Sequence, residues 1–403
     1  MAAALVGAAL ISWLGVIVAV LIAIPTAVFC SEIAAALWRR QLATDPIGDR
    51  RPRVAVLVPA HNESGNIAPT LENIRKQLRP GERLLVVADN CTDDTAAVAR
   101  AAGAEVVERQ DPKHLGKGYA LDHGLRCLAN DPPDIVVIID ADCWLATDAI
   151  ARLAGASAMT GRPAQALYLM EVPAGAGINQ QIAGFAWRIK NWVRPLGLQR
   201  LGLPCQLTGS GMAFPWPAIR AVDLSSGWIV EDLKLGLDAA AAGNPPLFCP
   251  AAQVTSQFAI SEQASADQRR RWEHGSLMTM LRFAPRLLWV AIANRDFAVL
   301  ALTLDLAVPP LSLLAVMLIG VFAITGTAAL LTRAPAGFII SAAALVGFAI
   351  AVACAWVGYG REVLPMRAIL SVPTYVLKKF GLYGQLLSGK RQTQWVKTDR
   401  TKT

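Results

Sequence analysis

The sequence feature that most constrains the fold is a long apolar run near the N-terminus, Leu5 to Cys30, which contains no charged residue. A transmembrane helix needs about 20 consecutive, mostly apolar residues, so this run is long enough to cross a bilayer. A cleaved signal peptide is disfavoured, because no basic residue precedes the run and its apolar part is too long. Similar runs lie between Phe297 and Leu331 and between Ala334 and Gly360. The sequence therefore predicts about three transmembrane helices.

The second of these runs is longer than one span and contains a single acid, Asp305. We expect its beginning to lie along the membrane interface, with Asp305 near the cytosolic surface or facing protein. Lys and Arg residues collect after the first and the last run, whereas the link between the second and third contains only Arg333. Since cytosolic loops carry the excess of basic residues, the polar region and the C-terminus are predicted in the cytosol, with the N-terminus outside.

The formal net charge of +8 indicates contact with anionic membrane lipids, because most of the excess basic residues flank the predicted spans. It does not indicate a nucleic-acid-binding protein, since no basic stripe is interleaved with aromatic side chains. The seven cysteines include no Cys-x-x-Cys pair, which fits a reducing cytosol rather than a disulfide framework or a zinc site.

The polar region between the spans alternates short apolar strands with helices. The predicted strands are 53–59, 83–88, 104–108 and 134–139, and a helical pattern follows each of the first three. Repeated strand–helix units of this kind are typical of a parallel α/β sheet. Further along, Asn179 to Arg194 reads as an amphipathic helix with Trp and basic residues, which suits either the membrane interface or ordinary packing.

Two carboxylates, Asp140 and Asp142, end the fourth strand at a spacing of i, i+2. Ligands of an open α/β sheet bind beyond the carboxyl ends of its strands, which places both acids where a ligand would lie. Two close carboxylates suit a hard divalent cation, and Mg²⁺ in turn suits a diphosphate. A strand end followed by an acidic helix cap would give the same pattern, so the interpretation depends on the other motifs.

Those other motifs form one ordered set along the chain. It consists of Pro59-Ala60-His61-Asn62-Glu63, Asp89, Gly116-Lys117-Gly118, Asp140-Ala141-Asp142, Glu231-Asp232 and Gln268-x-x-Arg271-Trp272. The set resembles the membrane-bound family-2 glycosyltransferases, which include synthases of cellulose, hyaluronan and poly-N-acetylglucosamine, and ceramide glucosyltransferase. The resemblance covers roughly Arg53 to Trp395. It implies the fold class α/β, with a nucleotide-sugar-binding domain of the GT-A type, a mainly parallel sheet, and transmembrane and interfacial helices.

The predicted domains follow from the spans and the motifs together. They are an N-terminal transmembrane helix (1–31), a cytosolic GT-A glycosyltransferase domain (32–264), the Gln-x-x-Arg-Trp segment with interfacial helices (265–306), two transmembrane helices (307–360), and a cytosolic interfacial helix with a basic tail (361–403).

The resemblance also implies roles for the motif residues. Asp142 and Asp140 are expected to hold Mg²⁺ or Mn²⁺. The expected donor- and nucleotide-binding residues are Pro59, His61, Glu63, Asp89, Lys117, Asp140, Gln268 and Arg271. The expected acceptor-binding residues are Thr208, Gly209, Ser210, Gly211, Glu231 and Trp272. For Thr208 to Gly211 a plain glycine turn is the alternative. The side-chain chemistry of two of these residues supports a role in phosphate binding. The guanidinium of Arg271 can form two hydrogen bonds to phosphate oxygens, and Lys117 lies at a predicted helix N-terminus, which favours an anion.

Asp232 is the predicted catalytic residue, a general base that deprotonates the acceptor. Its neighbours Trp228 to Val230 and Leu233 are apolar, and desolvation could raise its pKa usefully. The alternative is a helix N-cap or first-turn acid, a role it would share with Glu231.

These residues predict an inverting, metal-dependent glycosyltransferase of the bacterial cytoplasmic membrane. Its partners are a nucleoside-diphosphate sugar, expected to be UDP-linked, a lipid-linked or growing glycan acceptor, and membrane lipids. Such an enzyme would serve exopolysaccharide, cell-envelope polysaccharide or glycolipid synthesis. A processive polysaccharide synthase is the first alternative, although three spans offer little wall for a polymer channel. A non-catalytic, nucleotide-sugar-binding membrane subunit is the second, although no motif acid is lost. The sequence predicts no oligomeric state.

Overall fold

The computed structural model describes residues 2–38, 51–225, 228, 230–259 and 261–376. Within these residues the chain forms two compact units. The helical unit comprises 2–38, 175–197 and 303–376. The sheet unit comprises the described residues of 51–174 and 198–302.

The sheet unit is built on one eight-stranded sheet. Its strands are β1 (Val54–Ala60), β2 (Arg83–Asp89), β3 (Glu105–Arg109), β4 (Ile135–Ile138), β5 (Trp144–Leu145), β6 (Ala164–Glu171), β7 (Met212–Pro215) and β8 (Leu247–Gln257). Their spatial order is β3-β2-β1-β4-β7-β6-β8-β5. The first four in this order are parallel, β7 is antiparallel to both neighbours, β6 and β8 are parallel, and β5 is antiparallel to β8. The predicted α/β class with a mainly parallel sheet is confirmed.

The helices follow in chain order. They are α1 (Ala2–Leu37), α2 (Ile67–Arg75), α3 (Thr95–Ala101), α4 (Lys117–Leu128), α5 (Ala149–Thr160), α6 (Ile178–Arg188), α7 (Arg194–Arg200), α8 (Trp216–Arg220), α9 (Glu231–Ala241), α10 (Glu262–Asn294), α11 (Phe297–Leu306), α12 (Leu311–Thr332), α13 (Ala336–Ala355) and α14 (Met366–Ile369). Two π-helical turns, Ile189–Val193 and Trp356–Gly360, join α6 to α7 and follow α13.

The register of the parallel strands brings their polar ends to one edge of the sheet. Leu57 on β1 pairs with Leu85 on β2 and with Ile138 on β4, and all three side chains are buried. Because parallel strands end on the same side, β2 delivers Asp89 and β4 delivers Asp140 to this edge. Polar groups from distant parts of the sequence therefore meet there.

Helix α4 lies so close to the sheet that its middle position accepts only glycine. A Cβ added at Gly124 would lie 2.4 Å from Cδ1 of Leu57 and 2.9 Å from Cγ2 of Val87. Such contacts are shorter than packed atoms tolerate, so a larger residue would push the helix away. The close packing fixes the start of α4, and with it Lys117, beside the carboxyl ends of the strands.

The long apolar helices pack through small residues in the helical unit. Helix α1 contacts both α12 and α13. A Cβ added at Gly337 would lie 2.9 Å from the backbone carbon of Gly15, so the two helices approach closely at this glycine pair. Phe29 and Phe348 pack with ring centroids 5.5 Å apart. Small residues at the crossing and interlocking side chains are how helices associate where water supplies no hydrophobic driving force.

Four helices are long and apolar enough to cross a membrane, judged by length and composition. Three of them, Val6–Leu37, Leu311–Thr332 and Ala336–Gly360, correspond to the predicted spans. The fourth, Ala264–Asn294, includes the segment for which only interfacial helices are predicted. Its mean hydropathy of 1.3 is the lowest of the four, because Arg282 and Arg286 interrupt its apolar half. The three predicted spans are thus among the candidates, and Ala264–Asn294 is a further candidate by length and composition alone.

A buried ionic triad connects three segments of the helical unit. The guanidinium of Arg194 pairs with Glu32 at 2.5 Å between Nε and Oε2, and with the carboxylate of Asp305. All three residues are less than a tenth exposed. Asp305 thus faces protein, one of its two expected settings. Removing one partner of a buried ion pair typically costs about 3–5 kcal/mol, so loss of any one of these three charges should weaken the contact between their segments.

Candidate active site

The two carboxylates that follow β4 form the centre of the candidate site. Ligand atoms of Asp140, Asp142 and Cys143 all lie within 4.8 Å of one another. The backbone N–H of Asp140 donates to Oγ of Ser210 at 3.0 Å, which fixes the turn after the strand. Both acids are partly exposed. This arrangement leaves carboxylate oxygens at the sheet edge where a cation could be held.

The chemistry of these donors fits a hard divalent cation. Burial, and after it the nearby Asp140 carboxylate, raise the pKa of the Cys143 thiol to about 12. The carboxylates of Asp140 and Asp142 are hard oxygen donors, a pair that suits Mg²⁺ or Mn²⁺ rather than a softer metal. Cys143 is buried, unlike the two partly exposed acids.

Lys117, the first residue of α4, lies between the Asp140 carboxylate and the acids of α9. Its Nζ lies 2.5 Å from Oδ1 of Asp140 and 3.7 Å from Oε1 of Glu231, and it donates to the carbonyl of Gly209 at 2.6 Å. Burial lowers the pKa of Lys117, but the carboxylates of Asp140, Glu231 and Asp232 outweigh burial and raise it above its ordinary value. The side chain is therefore a permanent cation at physiological pH.

Glu231 and Asp232 occupy the first turn of α9, and the N-cap is Val230. Of the two structural alternatives for Asp232, the N-cap is wrong, because the helix begins one residue before this acid, whereas the first-turn position is the one observed. Burial raises the pKa of Glu231, the Lys117 ammonium opposes it, Asp232 adds to it, and the result is about 7. A Cβ added at Gly209 would lie 3.4 Å from Oδ2 of Asp232, so this carboxylate lies against the loop that contains Gly209.

The loop Thr208–Gly211 lies between Asp140, which contacts Ser210, and Asp232, which lies against Gly209. Gly209 and Gly211 have φ values of +101° and +70°, which favour glycine. A Cβ added at Gly211 would also lie 2.7 Å from Cβ of Ala166 on β6. The Oγ1 atom of Thr208 is buried without a hydrogen-bond partner among the described residues. The loop thus presents a polar atom and close-lying backbone to the site.

A second cluster surrounds Asp89 at the end of β2. Its Oδ1 pairs with Arg109 at 2.6 Å and accepts from Nδ2 of Asn90 at 3.1 Å. The ring Nδ1 of His61 lies 2.7 Å from the Asp89 carbonyl, so the turn after β1 and the end of β2 are in contact. Pro59 lies within β1 just before this turn.

Glu63 shapes the turn after β1. Its backbone N–H donates to Oγ1 of Thr95 at 2.8 Å, and its Oε2 accepts from Nδ2 of Asn66 at 3.3 Å. The turn is thereby held against the start of α3, close in sequence to the Asp89 cluster.

The Gln-x-x-Arg-Trp motif lies in the first half of α10, which begins at a Ser261 cap that accepts from the N–H of Ala264. Gln268 is buried, and its Oε1 has no hydrogen-bond partner among the described residues. Burial lowers the pKa of Arg271 and the Glu231 carboxylate opposes this, so α9 and α10 interact electrostatically here. The guanidinium remains charged, because its ordinary pKa lies above 12. Trp272 is half-buried beside it.

Two residues of these clusters are absent from the sequence-based prediction. Arg109 pairs with Asp89 and also with Asp111, at 3.1 Å. Its position at the end of the third predicted strand, level with the other polar strand ends, was the available signal. Gln165 lies on β6 and contacts the Thr208–Gly211 loop through its side-chain amide. A single glutamine within an apolar strand gives no such signal.

A mainly parallel α/β sheet with paired carboxylates beyond its central strand defines a nucleotide-binding domain with a candidate cation site. Residues 52–275, more than half of the chain, match the family described as glycosyltransferase like family 2. The chain belongs to this family and is accordingly a glycosyltransferase.

Similar proteins include curated relatives and solved structures. A 4,4'-diaponeurosporenoate glycosyltransferase of Staphylococcus aureus (strain N315) is 33% identical over 119 residues, which are 28% of this chain and 31% of that protein. The chain therefore spans about a third of the curated relative it matches. A mannosyltransferase from Pyrobaculum calidifontis, solved with GDP-Man and Mn²⁺, is 20% identical with a TM-score of 0.49, covering 84% of this chain and 98% of that one. Glucosyl-3-phosphoglycerate synthase from Mycobacterium tuberculosis, solved with Mn²⁺, UDP and phosphoglyceric acid, is 24% identical with a TM-score of 0.40, covering 59% and 82%.

Proposed function

We propose that the protein transfers a sugar from a nucleoside-diphosphate sugar, UDP-linked, to a lipid-linked or growing glycan acceptor, with inversion at the anomeric carbon. The reaction would serve bacterial exopolysaccharide, cell-envelope polysaccharide or glycolipid synthesis. The observation that carries this proposal is the contact of Lys117 with both Asp140 and Glu231. That contact joins the cation-binding side of the site to the helix that begins with the proposed base, Asp232.

Asp232 is proposed to accept the proton of the acceptor hydroxyl as its oxygen attacks the anomeric carbon. The bond from that carbon to the diphosphate breaks in the same step, and the electron pair leaves on the diphosphate oxygen. A single displacement of this kind inverts the configuration. Asp232 lies in the first turn of α9 beside Glu231, and its carboxylate lies against Gly209, which places it where an acceptor hydroxyl could reach it.

Positive charge is available for the departing diphosphate. Lys117 and Arg271 are both cations that interact with Glu231 from different helices. Donors placed where negative charge develops are usually the largest contribution to such reactions. Asp142 and Asp140 would hold Mg²⁺ or Mn²⁺, which supplies Lewis-acid stabilisation of the diphosphate when bound.

Membrane attachment and orientation belong to the same proposal. Three of the four long apolar helices, Val6–Leu37, Leu311–Thr332 and Ala336–Gly360, are proposed to span the membrane, and Ala264–Asn294 is proposed to lie at its interface. The basic residues that flank the first and last spans support a catalytic domain in the cytosol of a bacterium and an N-terminus outside the cytoplasmic membrane. The domain ranges given above are part of this proposal.

Nucleotide release tests the function directly. The purified protein is incubated with a panel of UDP- and GDP-sugars and Mn²⁺, with and without membrane lipid extract, and nucleotide release and product length are measured. We expect release that depends on the extract, with products of one added sugar. Asp232→Asn should lower the rate by roughly 10²–10⁴-fold, the usual scale of general-base catalysis, with donor affinity within a few-fold.

Asp238→Asn is the matched control, because Asp238 lies on the same helix and pairs with Lys234 at 2.6 Å. It should keep the wild-type rate. Binding of a donor with no release from any member of the panel would instead support a non-catalytic subunit. Near-normal transfer by Asp232→Asn would move the base elsewhere, to Glu231 first.

A further inference from the structure

We infer that Gln165 is a positioning residue for sugar transfer: its side-chain amide holds the Thr208–Gly211 loop at the separation that places Asp140 and Asp232 on opposite sides of the reacting atoms. The inference rests on the proposed function, and it is carried by the hydrogen bonds of one buried amide. Gln165 is 1% exposed and lies on β6, opposite Met212 of β7.

Both ends of the Gln165 amide bind loop backbone. Oε1 accepts from the N–H of Thr208 at 2.8 Å, and Nε2 donates to the carbonyl of Ser210 at 2.9 Å. Nε2 also lies within donating distance of the carbonyls of Ala166, at 3.0 Å, and Gly211, at 3.4 Å. One side chain therefore satisfies the loop at its first and third residues. Without it, the N–H of Thr208 and the carbonyl of Ser210 would lose this hydrogen-bond partner.

The loop needs such a clamp because its own backbone is permissive. Gly209 and Gly211 both have positive φ values, and glycine has the largest conformational freedom to lose on folding. The strand side of the loop is tied by the N–H of Gly211 to the carbonyl of Ile138 at 3.0 Å. Gly209 lies on the side of the loop that faces α9. Gln165 does not bond to Gly209 but restrains it through the backbone of Thr208 and Ser210.

The clamped loop contacts each part of the proposed machinery. Oγ of Ser210 accepts from the N–H of Asp140, the carbonyl of Gly209 accepts from Lys117, and Gly209 lies against Asp232. A shift of the loop would change these three contacts together. A misplacement of about 1 Å from a group outside the chemistry can cost about 10²-fold in rate. Gln165 thus acts through the loop rather than on the substrate.

Gln165→Met tests the inference, because it keeps the length of the side chain and removes both hydrogen-bonding ends. The matched control is Asn73→Leu. Asn73 is also a buried amide that holds a backbone segment, donating to the carbonyl of Leu145 at 3.1 Å and accepting from its N–H at 2.8 Å. It makes the same kind of contact outside the Thr208–Gly211 loop. Both variants should lose similar thermal stability.

Two measurements separate positioning from general destabilisation. In the transfer assay, Gln165→Met should lower kcat by roughly 10–10²-fold with the donor KM within about threefold, whereas Asn73→Leu keeps both. In hydrogen–deuterium exchange, read by mass spectrometry, Gln165→Met should speed exchange of the amides of 208–211, and Asn73→Leu should not. The exchange measurement needs no substrate, so it decides on the clamp even where the proposed function fails.

Wild-type exchange of the 208–211 amides in Gln165→Met overturns the inference, and so does an equal loss of kcat in both variants. Should Gln165→Met fail to fold, Gln165→Glu is measured in the same way. Its carboxyl, when protonated, keeps the acceptor for Thr208 and one donation, so it is the milder change. The ionised carboxylate at alkaline pH can no longer donate to the Ser210 carbonyl, so kcat should fall and exchange of 208–211 should speed up relative to the wild type at the same pH. Wild-type kcat and exchange of Gln165→Glu at both acidic and alkaline pH also overturn the inference.

Discussion

Lys117→Met gives the sharpest test of the site, because it removes one charge from between two sets of acids. Methionine keeps most of the side chain's length and its apolar stem. The change removes the ion pair with Asp140 at 2.5 Å and the hydrogen bond to the Gly209 carbonyl at 2.6 Å. It leaves Asp140 and Glu231 without their shared cation.

The magnitude follows from these contacts. Breaking a buried ion pair costs about 3–5 kcal/mol, but water screens Asp140 in part, so we expect the free energy of unfolding to fall by about 2–4 kcal/mol. The side chains of Lys117 and Asp140 are 17% and 28% exposed, which supports the lower part of this range. For a domain of this size the loss corresponds to a decrease in Tm of roughly 5–15 °C.

Metal binding should change in the opposite direction. Lys117 repels a cation held by Asp140 and Asp142, so its removal should tighten Mn²⁺ binding by roughly 5–150-fold, the usual range for coupled sites. Saturating Mn²⁺ should then recover much of the lost Tm, because a ligand that binds only the folded state stabilises it. Calorimetric titration of Mn²⁺ and thermal unfolding with and without the metal measure both effects without any substrate.

Lys234→Met is the matched control. Lys234 pairs with Asp238 at 2.6 Å, and the two side chains are 19% and 32% exposed, much like those of the Lys117 pair. The Lys234→Met variant should have a lower Tm than the wild type and an unchanged Mn²⁺ affinity. Unchanged or weaker Mn²⁺ binding in Lys117→Met would refute the placement of a metal at Asp140 and Asp142.

Three further predictions concern the metal, the pH dependence and the membrane topology. Asp142→Asn should abolish turnover and weaken diphosphate binding with the fold intact, since it removes the charge a hard cation requires; a wild-type rate at limiting Mg²⁺ or Mn²⁺ would contradict this. The pKa of Glu231 is raised from 4.5 to about 7, so the folded protein holds a proton that the unfolded chain releases, and the associated stability is lost as pH rises from about 4.5 to about 7. Glu231→Gln should therefore flatten the decrease of Tm across this window in metal-free protein, and an unchanged slope would assign it to another group. Thr332→Cys should be labelled by an impermeant thiol reagent in intact cells, with the wild type as the background control; labelling only after permeabilisation would reverse the proposed orientation.

The parallel half of the fold could be predicted because its signals are local. Apolar strands such as β1 and β4 are short, continuous and separated by helical patterns, and parallel pairing then places Asp89 and Asp140 at one edge. The sequence predicts interfacial helices rather than a span for the segment that forms α10, because two arginines, Arg282 and Arg286, lower its hydropathy.

The supporting contacts of the site depend on separations along the chain that sequence patterns do not show. Gln165 reaches loop residues 43 and 45 positions away, and Arg109 reaches Asp89 across 20 positions. Gln165 lies within a strand, where its type suggests only a polar residue on a sheet, and the strand-end position of Arg109 does not show which acid it pairs with. The motif acids occur at strand and helix ends, positions at which a sequence pattern by itself indicates a candidate ligand-binding side chain.

The ionic triad of the helical unit sets an order of events during synthesis. Glu32 is made 162 residues before Arg194, and Arg194 is made 111 residues before Asp305. At the usual rate of about 5–20 residues per second, Glu32 waits roughly 8–32 s for its cation, and Arg194 then waits roughly 6–22 s for its second carboxylate. An unpaired charge is costly in the hydrocarbon region, so in the proposed membrane arrangement Glu32, near the C-terminal end of α1, should stay at the surface until its partners are made. The helical unit can therefore reach its final arrangement only after the whole sheet unit has left the ribosome.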